Sequence, residues 1–221
     1  YSLVSILALA AMIVLAMPTI LHKAGFHPDY NGPKVALPTK RALVITTSHN
    51  VLAAVGETEG PATGVVASEL THPYYVFVDG GMQVEVASIK GGKIPVAPDS
   101  LSRISATPET KRFLQDSIFQ AKVDNSINIA DIDFGEYDII FLAGGWGAAY
   151  DLGYSPVLAN KISSAYYAEK QPVIGGVCHG VLGLINAKDR DGSLLIAGRG
   201  MTGVTDKQIE ELNIEITPQH P

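Results

Sequence analysis

The single cysteine of the chain, Cys178, lies in the segment VIGGVCHGVLGLI, with Gly176 and Gly180 two residues away on either side. The pattern Gly-x-Cys-x-Gly is that of a nucleophile elbow, a sharp turn from a strand into a helix. Side chains at the two glycine positions would collide with the neighbouring strand and helix. The positive end of the helix dipole would favour the thiolate, which attacks carbonyl carbon. The pattern predicts a cysteine nucleophile, and the alternative is a buried cysteine that acts as a small apolar residue.

Three further features could cooperate with this thiol. His179 follows it directly and could be an imidazole partner, or a surface residue of the first helical turn. The loop Gly144–Gly147 offers backbone N–H groups for an oxyanion hole, or is a plain glycine-rich turn. No Lys-Ser/Thr pair follows the loop, which excludes a P-loop. Glu69, in the otherwise apolar segment TGVVASEL, could shuttle protons or face solvent.

Four apolar runs predict the strands that position these residues. Each run is largely apolar, as in a strand that is buried on both faces of a parallel sheet. The runs are RALVITT (41–47), QVEVASI (83–89), YDIIFLAGG (137–145) and PVIGGV (172–177). Reactive groups of such sheets gather beyond the carboxyl ends of the strands, where Cys178 must then lie.

Helical segments alternate with these strands. Two helices, over residues 107–123 and 155–171, each begin with a capping hydroxyl followed by proline. Residues 63–70 have helical character, Pro73 is expected to restart that helix, and HGVLGLINA begins a helix after the cysteine. The alternation predicts an α/β fold, a doubly wound and mostly parallel sheet with helices on both faces.

The N-terminal residues form a separate unit. Residues 1–21 carry no charge and predict a single apolar helix, since about 20 helical residues span a bilayer core of about 30 Å. We expect a membrane anchor or a signal segment, with a buried core helix as the third interpretation. The protein would then be membrane-anchored or exported, the alternative being cytoplasmic. Residues 22–40 read as a linker, and residues 41–221 as the folded domain, which its ending predicts to be C-terminally truncated.

Composition excludes some partners. The net charge of -6 and the lack of a Lys/Arg cluster give no footprint for nucleic acid. A single cysteine cannot form an intramolecular disulfide.

Taken together, the segments resemble the ThiJ/PfpI superfamily, whose members share a flavodoxin-like fold of the class I glutamine amidotransferase type. Within it, the chain looks closest to the glyoxalase III-like and heat-shock chaperone branch. The resemblance extends over residues 41–206, through ALVITTSH, TGVVASELTHPYYVFVDGGMQVEVASIKGGKIPVAPDS, YDIIFLAGGWGAAYDL, VIGGVCHG and LLIAGRGMTGVTD.

The resemblance implies roles for individual side chains. Cys178 matches the family nucleophile, His179 its partner and Glu69 the acid that contacts the thiol. A downstream acid completes a triad in this branch, and Asp206 in TGVTD is the best match, with Glu210 as the alternative.

The resemblance also places an oxyanion hole. Gly145 and Trp146 fall where backbone amides face the reacting oxygen. Trp146 stands where the family often has His in GGHG, and Val181 stands where a proline often follows the Cys-His-Gly motif. Both departures bear on the substrate more than on the nucleophile.

The implied function is a glyoxalase III-like conversion of 2-oxoaldehydes, methylglyoxal to lactate, without cofactor or metal. Alternatives are a cysteine amidase or peptidase of the same fold, and a stress-protective chaperone or redox sensor that uses the same thiol. A glutamine amidotransferase would need a late His-x-Glu pair, whereas His220 is followed by Pro221. The implied partners are a small carbonyl substrate and a second copy of the chain in a homodimer.

Overall fold

Five parallel strands form one sheet, in the order β3-β2-β1-β4-β5. The computed structural model describes residues 3–24, 32–53, 57–102, 104–203 and 205–211. The strands are β1 (Arg41–Thr46), β2 (Gln83–Ser88), β3 (Ile127–Asn128), β4 (Ile139–Leu142) and β5 (Val173–Gly176). The α-helices are α1 (Leu3–Lys23), α2 (Ala67–Asp79), α3 (Pro108–Phe113), α4 (Ser117–Asp124), α5 (Ala148–Asp151), α6 (Pro156–Tyr166) and α7 (Asp206–Glu211).

Strand β1 lies at the centre of the sheet because it is apolar on both faces. Leu43 and Ile45 are buried in the core on one side, and Ala42 and Val44 in the core on the other. Parallel neighbours pair with β1 along both edges, β2 on one and β4 on the other. The predicted doubly wound parallel sheet is therefore confirmed, with the chain order reversing between β1 and β4.

Two helix starts agree with the predicted caps. The hydroxyl of Thr107 accepts the N–H of Thr110, and that of Ser155 accepts the N–H of Leu158. In each case a proline follows the cap at the first helical position, where its missing N–H costs no hydrogen bond.

The prediction of one helix over residues 107–123 is wrong, since α3 and α4 are separate. The carboxylate of Asp116 accepts the N–H groups of Ile118 and Phe119 at 3.1 and 3.0 Å. This side chain caps a new helix, so that the chain changes direction between α3 and α4.

The predicted restart at Pro73 is also wrong, because α2 runs without interruption from Ala67 to Asp79. Proline at this position removes only the hydrogen bond to the carbonyl of Glu69, four residues earlier. Tertiary packing keeps the helix intact, since Leu70 and Tyr74 are buried in the core beside the sheet.

The N-terminal helix is present as α1. Among the residues that the structure describes, no helix combines the length and the apolar character that crossing a membrane requires. The predicted membrane localisation is therefore wrong, and the signal segment over residues 1–21 stays a prediction. Of the predicted linker 22–40, residues 25–31 lie outside the described residues.

The central position of β1 makes a packing prediction. Ile45→Ala should lower the free energy of unfolding by about 3 kcal/mol, because it leaves a cavity at a fully buried position. Val76→Ala, at a position that is 67% exposed on α2, is the matched control and should change it by less than about 0.5 kcal/mol. Chemical denaturation measures both, and equal effects would contradict the assignment of the core.

Candidate active site

The candidate site lies at the carboxyl edge of the sheet, beside the point where the strand order reverses. Cys178 follows β5 after one residue, and the loop Gly144–Gly147 follows β4. Glu69 comes from the first turn of α2, which the chain enters after β1. Three crossover connections therefore bring together side chains that are far apart in the sequence, as parallel topology requires.

Cys178 sits on a strained turn. Its φ of 53° lies in the left-handed region, which costs a residue with a side chain roughly 1–3 kcal/mol. A Cβ atom at Gly180 would lie 2.2 Å from the carbonyl oxygen of Leu142, and one at Gly176 would lie 3.0 Å from it. The elbow geometry thus agrees with the pattern that predicted it. The helix that follows differs from the prediction, because residues Cys178–Leu184 form a 3₁₀ helix rather than an α-helix.

His179 is buried, with 3% of its surface exposed, so the surface interpretation of this residue is wrong. Its Nδ1 lies 3.4 Å from Sγ of Cys178. The indole of Trp146 packs on the imidazole, with ring centroids 4.7 Å apart and a tilt of 46°. The imidazole is therefore within reach of the thiol and is walled on one side by an aromatic ring.

Glu69 faces the same thiol from α2. Its Oε2 atom is buried. A Cβ atom added at Gly144 would lie 2.5 Å from this oxygen and 2.9 Å from the Cβ of Cys178. Only a residue without a side chain fits between the carboxyl group and the cysteine. Burial raises the pKa of Glu69, while the thiol and the N–H groups of Gly144 and Gly145 act in the opposite direction. The solvent-facing interpretation of Glu69 does not hold for this carboxyl oxygen.

The pKa of Cys178 is raised, and the prediction of a lowered value is wrong. Burial is the largest cause, followed by the negative charge of Glu69, and the N–H groups of Gly145 and His179 only partly offset them. A short 3₁₀ helix and two amides do not compensate for the loss of solvent. The negative charge of Glu69 raises the pKa of the thiol, whereas the contact with the thiol lowers the pKa of Glu69, so that the two groups titrate as a coupled pair.

The glycine loop is fixed against the segment that leads into α2. The N–H of Gly147 donates to the carbonyl of Gly64 at 3.3 Å, and Gly145 has a φ of 92° that favours glycine. In this conformation the N–H of Gly145 interacts with the sulfur of Cys178. This placement supports a role for Gly145 in an oxyanion hole, and the same role for the amide of Trp146 stays a prediction.

The third acid of the predicted triad is expected within helix α7. Asp206 begins helix α7, and its side chain lies outside the described part of the structure. Glu210 is exposed on the same helix. The choice between these two acids therefore stays a prediction.

Helix α5 and the carboxylate at its end were not predicted from the sequence. Asp151 is the only charged residue in the segment GGWGAAYDLG, which follows β4. Its Oδ2 accepts the backbone N–H of Ser48 at 2.8 Å, beyond the end of β1. An acid in an otherwise apolar segment after a glycine loop was the available signal.

A doubly wound parallel sheet with a cysteine on a strained strand-to-helix turn defines a class of flavodoxin-like proteins with a thiol at the carboxyl edge of the sheet. A model of the DJ-1/PfpI family matches residues 61–213, and the chain belongs to this family. The resemblance drawn from the sequence motifs is thereby confirmed.

Two curated relatives narrow the comparison. The chain is 32% identical to glyoxalase 3 of Candida albicans over 173 residues, which cover 75% of this chain and 69% of the relative. It is 31% identical to the glutathione-independent glyoxalase HSP31 of Saccharomyces cerevisiae over 172 residues, covering 76% and 69%.

Solved structures give the same result. The chain is similar to Rapid Encystment Protein 24 kDa of Francisella tularensis, with a TM-score of 0.73 and 34% identity over 81% of this chain and 77% of that one. It is also similar to glyoxalase III of Candida albicans, with a TM-score of 0.69 and 29% identity over 79% and 72%. The glyoxalase III branch of the family is thus supported by sequence and by structure.

The elbow makes a prediction about its glycines. Gly180→Ala should lower the free energy of unfolding by about 2 kcal/mol and displace the thiol, because its Cβ collides with the backbone of Leu142. Gly175→Ala is the control, since no atom lies within 4 Å of a Cβ there, and should change it by less than about 0.5 kcal/mol. Thermal unfolding and the alkylation rate of Cys178 are the measurements, and an unaffected Gly180→Ala variant would refute this account of the turn.

Proposed function

We propose that the protein is a glutathione-independent glyoxalase that converts 2-oxoaldehydes such as methylglyoxal to 2-hydroxy acids such as lactate. The observation that carries the proposal is one partly buried thiol that meets a carboxyl group, an imidazole and a backbone amide in the same site. These contacts join Cys178 to Glu69, His179 and Gly145. The glyoxalases among the relatives support the same reaction.

The first step forms a hemithioacetal. Glu69 takes the proton of the thiol, and the sulfur of Cys178 adds to the aldehyde carbon. The C–S bond forms as the carbonyl electrons move onto oxygen. The N–H of Gly145, with that of Trp146, would stabilise the negative charge on this oxygen. His179, beside the sulfur, would then supply a proton to this oxygen and take the thiol proton from Glu69, which leaves Glu69 ionised for the next step.

The second step moves hydrogen between the two substrate carbons. A base removes the proton from the former aldehyde carbon, an enediol forms, and a proton returns to the neighbouring carbon. Glu69 suits both transfers because it contacts the thiol and because burial raises its pKa above the ordinary value of a carboxyl group. The product is a thioester of the 2-hydroxy acid, in which one carbon has been oxidised and its neighbour reduced.

The third step releases the product. Water attacks the thioester carbon, the C–S bond breaks, and the sulfur leaves with its electron pair. Methylglyoxal and one water thus give one lactic acid, and the chain returns to its starting state. Asp206 would orient His179 during these transfers.

The alternative of a redox sensor has less support from the geometry. Oxidation to sulfenic acid requires an accessible thiolate. The thiol of Cys178 is largely buried and has a raised pKa, which disfavours that form. The homodimer implied by the resemblance stays a prediction.

Replacement of the nucleophile tests the reaction. Cys178→Ala should lower the formation of lactate from methylglyoxal, without added glutathione, by at least about a thousandfold, because no other group can form the thioester. Enzymatic detection of lactate gives the rate, and circular dichroism checks that the variant is folded. Turnover in the folded variant would refute the proposed mechanism, and lack of turnover in the wild type would refute the function.

Replacement of Glu69 separates its charge from its proton transfer. Glu69→Gln removes the negative charge that raises the pKa of Cys178, so the pH midpoint for alkylation by iodoacetamide should move to lower pH. Turnover should fall by about a hundredfold or more, because an amide cannot accept the proton. A faster-reacting thiol in a slower enzyme is the expected combination.

Ser68→Ala, one residue away, is the control and should change neither measurement. A Glu69→Gln variant with an unchanged midpoint and unchanged turnover would contradict the assigned role of Glu69.

A further inference from the structure

A polar contact outside the proposed chemistry fixes the short helix that follows the glycine loop. Asp151 ends α5, and its Oδ2 accepts the N–H of Ser48 at 2.8 Å. The hydroxyl of Thr47 lies close enough to this carboxylate to lower its pKa. The other oxygen, Oδ1, is buried and has no hydrogen-bond partner among the described residues. The carboxylate therefore joins the end of α5 to the residues that follow β1.

Two more contacts hold the same elements together. The ring of His49 stacks on that of Tyr150, with centroids 4.1 Å apart and planes within 7°. Gly147 lies so close to these residues that a Cβ atom there would be 2.6 Å from the carbonyl oxygen of His49 and 2.7 Å from Cγ2 of Thr47. Gly147, Tyr150 and Asp151 thus contact residues 47–49.

We propose that Asp151 is a positioning residue, whose carboxylate holds the loop Gly144–Gly147 in register with Cys178 through the Ser48 amide and the Thr47 hydroxyl. The carboxylate acts together with the bond from Gly147 to Gly64 and the stack of His49 on Tyr150, which hold the same loop and helix. Loss of the bond from Asp151 to Ser48 would let the N–H of Gly145 move away from the sulfur. The part of the proposal that concerns turnover rests on the proposed function, and the part that concerns the loop does not.

The ionised carboxylate of Asp151 lowers the stability of the fold. This effect separates a positioning role from a merely structural one, because a structural residue would stabilise the fold. Burial raises the pKa of Asp151 to about 6, against the opposing effects of Ser48, Thr47 and the positive charges of His49 and Lys90. A folded-state pKa above the ordinary value means that stability falls as the pH rises from about 4 to about 6. A neutral residue of the same shape removes this cost, so stability and activity should respond in opposite directions.

The first test compares two carboxylates that accept backbone N–H groups at opposite ends of β1. Asp151→Asn should lower kcat about tenfold and change KM by less than about twofold, because a neutral amide oxygen accepts the N–H of Ser48 roughly half as strongly as a carboxylate and holds the loop less firmly. Its melting temperature at neutral pH should stay the same or rise. Asp138→Asn is the matched control, since Asp138 accepts the N–H of Arg41 at 2.8 Å and pairs with Lys40 far from the site. It should lower the melting temperature and leave kcat unchanged.

The second test needs no turnover. Trp146, the only tryptophan of the chain, lies in the loop itself, so its fluorescence reports the position of the loop. The wild-type emission should change with a pH midpoint of about 6, the value expected for Asp151. Asp151→Asn should remove this transition. Thr47→Val should move it to higher pH, because the hydroxyl that lowers the pKa of Asp151 is lost.

The contact of Trp146 with His179 needs its own control. The transition should persist in His179→Gln if Asp151 causes it, and disappear if the imidazole does, which would overturn the proposal. The proposal is also overturned if the Asp151→Asn variant keeps both the fluorescence transition and the wild-type kcat. It is overturned as well if this variant loses stability and activity together while Thr47→Val leaves the pH midpoint unchanged. A wild type with this transition but no turnover would refute the proposed function and leave the positioning role in place.

Discussion

Two buried acidic groups meet across a glycine, and the rest of the site depends on this arrangement. Glu69 and Cys178 approach each other where Gly144 provides no side chain. Burial raises the pKa of both groups. A carboxyl group in contact with the thiol can take its proton when a carbonyl substrate arrives. The reaction proposed here consists of proton transfers around one covalent C–S bond, which is the chemistry that such a pair can supply.

The fold explains how this approach is maintained. Cys178 is forced into a positive φ by the close packing of the turn on Leu142. Glu69 is carried by a helix that packs on the sheet beside β1. The glycine loop lies between them and is held from one side by Gly64 and from the other by Asp151. The strained backbone of Cys178 is tolerated because its turn, helix α2 and the glycine loop all hold the thiol in place.

The relatives and the geometry of the site agree on the fold and on the reaction. Membership of the DJ-1/PfpI family fixes the fold, and the relatives at about a third identity point to a glutathione-independent glyoxalase. The geometry adds which groups exchange the proton of the thiol and which contacts hold the loop Gly144–Gly147. Trp146, which packs on His179, gives this site an aromatic wall on the imidazole side.

The sequence by itself determined the sheet and the elbow. Continuous apolar runs can only be buried on both faces, and Gly-x-Cys-x-Gly has few other uses, so β1, β4, β5 and the position of Cys178 followed directly. Local rules also gave the caps at Thr107 and Ser155, because a cap involves only neighbours in the chain.

Other features depend on contacts between distant segments, which only the tertiary structure decided. The raised pKa of Cys178 comes from solvent exclusion and from Glu69, more than 100 positions away, so the local helix dipole predicted the wrong sign. The break between α3 and α4 and the unbroken α2 at Pro73 reflect a side-chain cap and burial that outweigh local propensity. The bond from Asp151 to Ser48 joins segments 103 residues apart, so its partner was invisible before the strands were placed side by side.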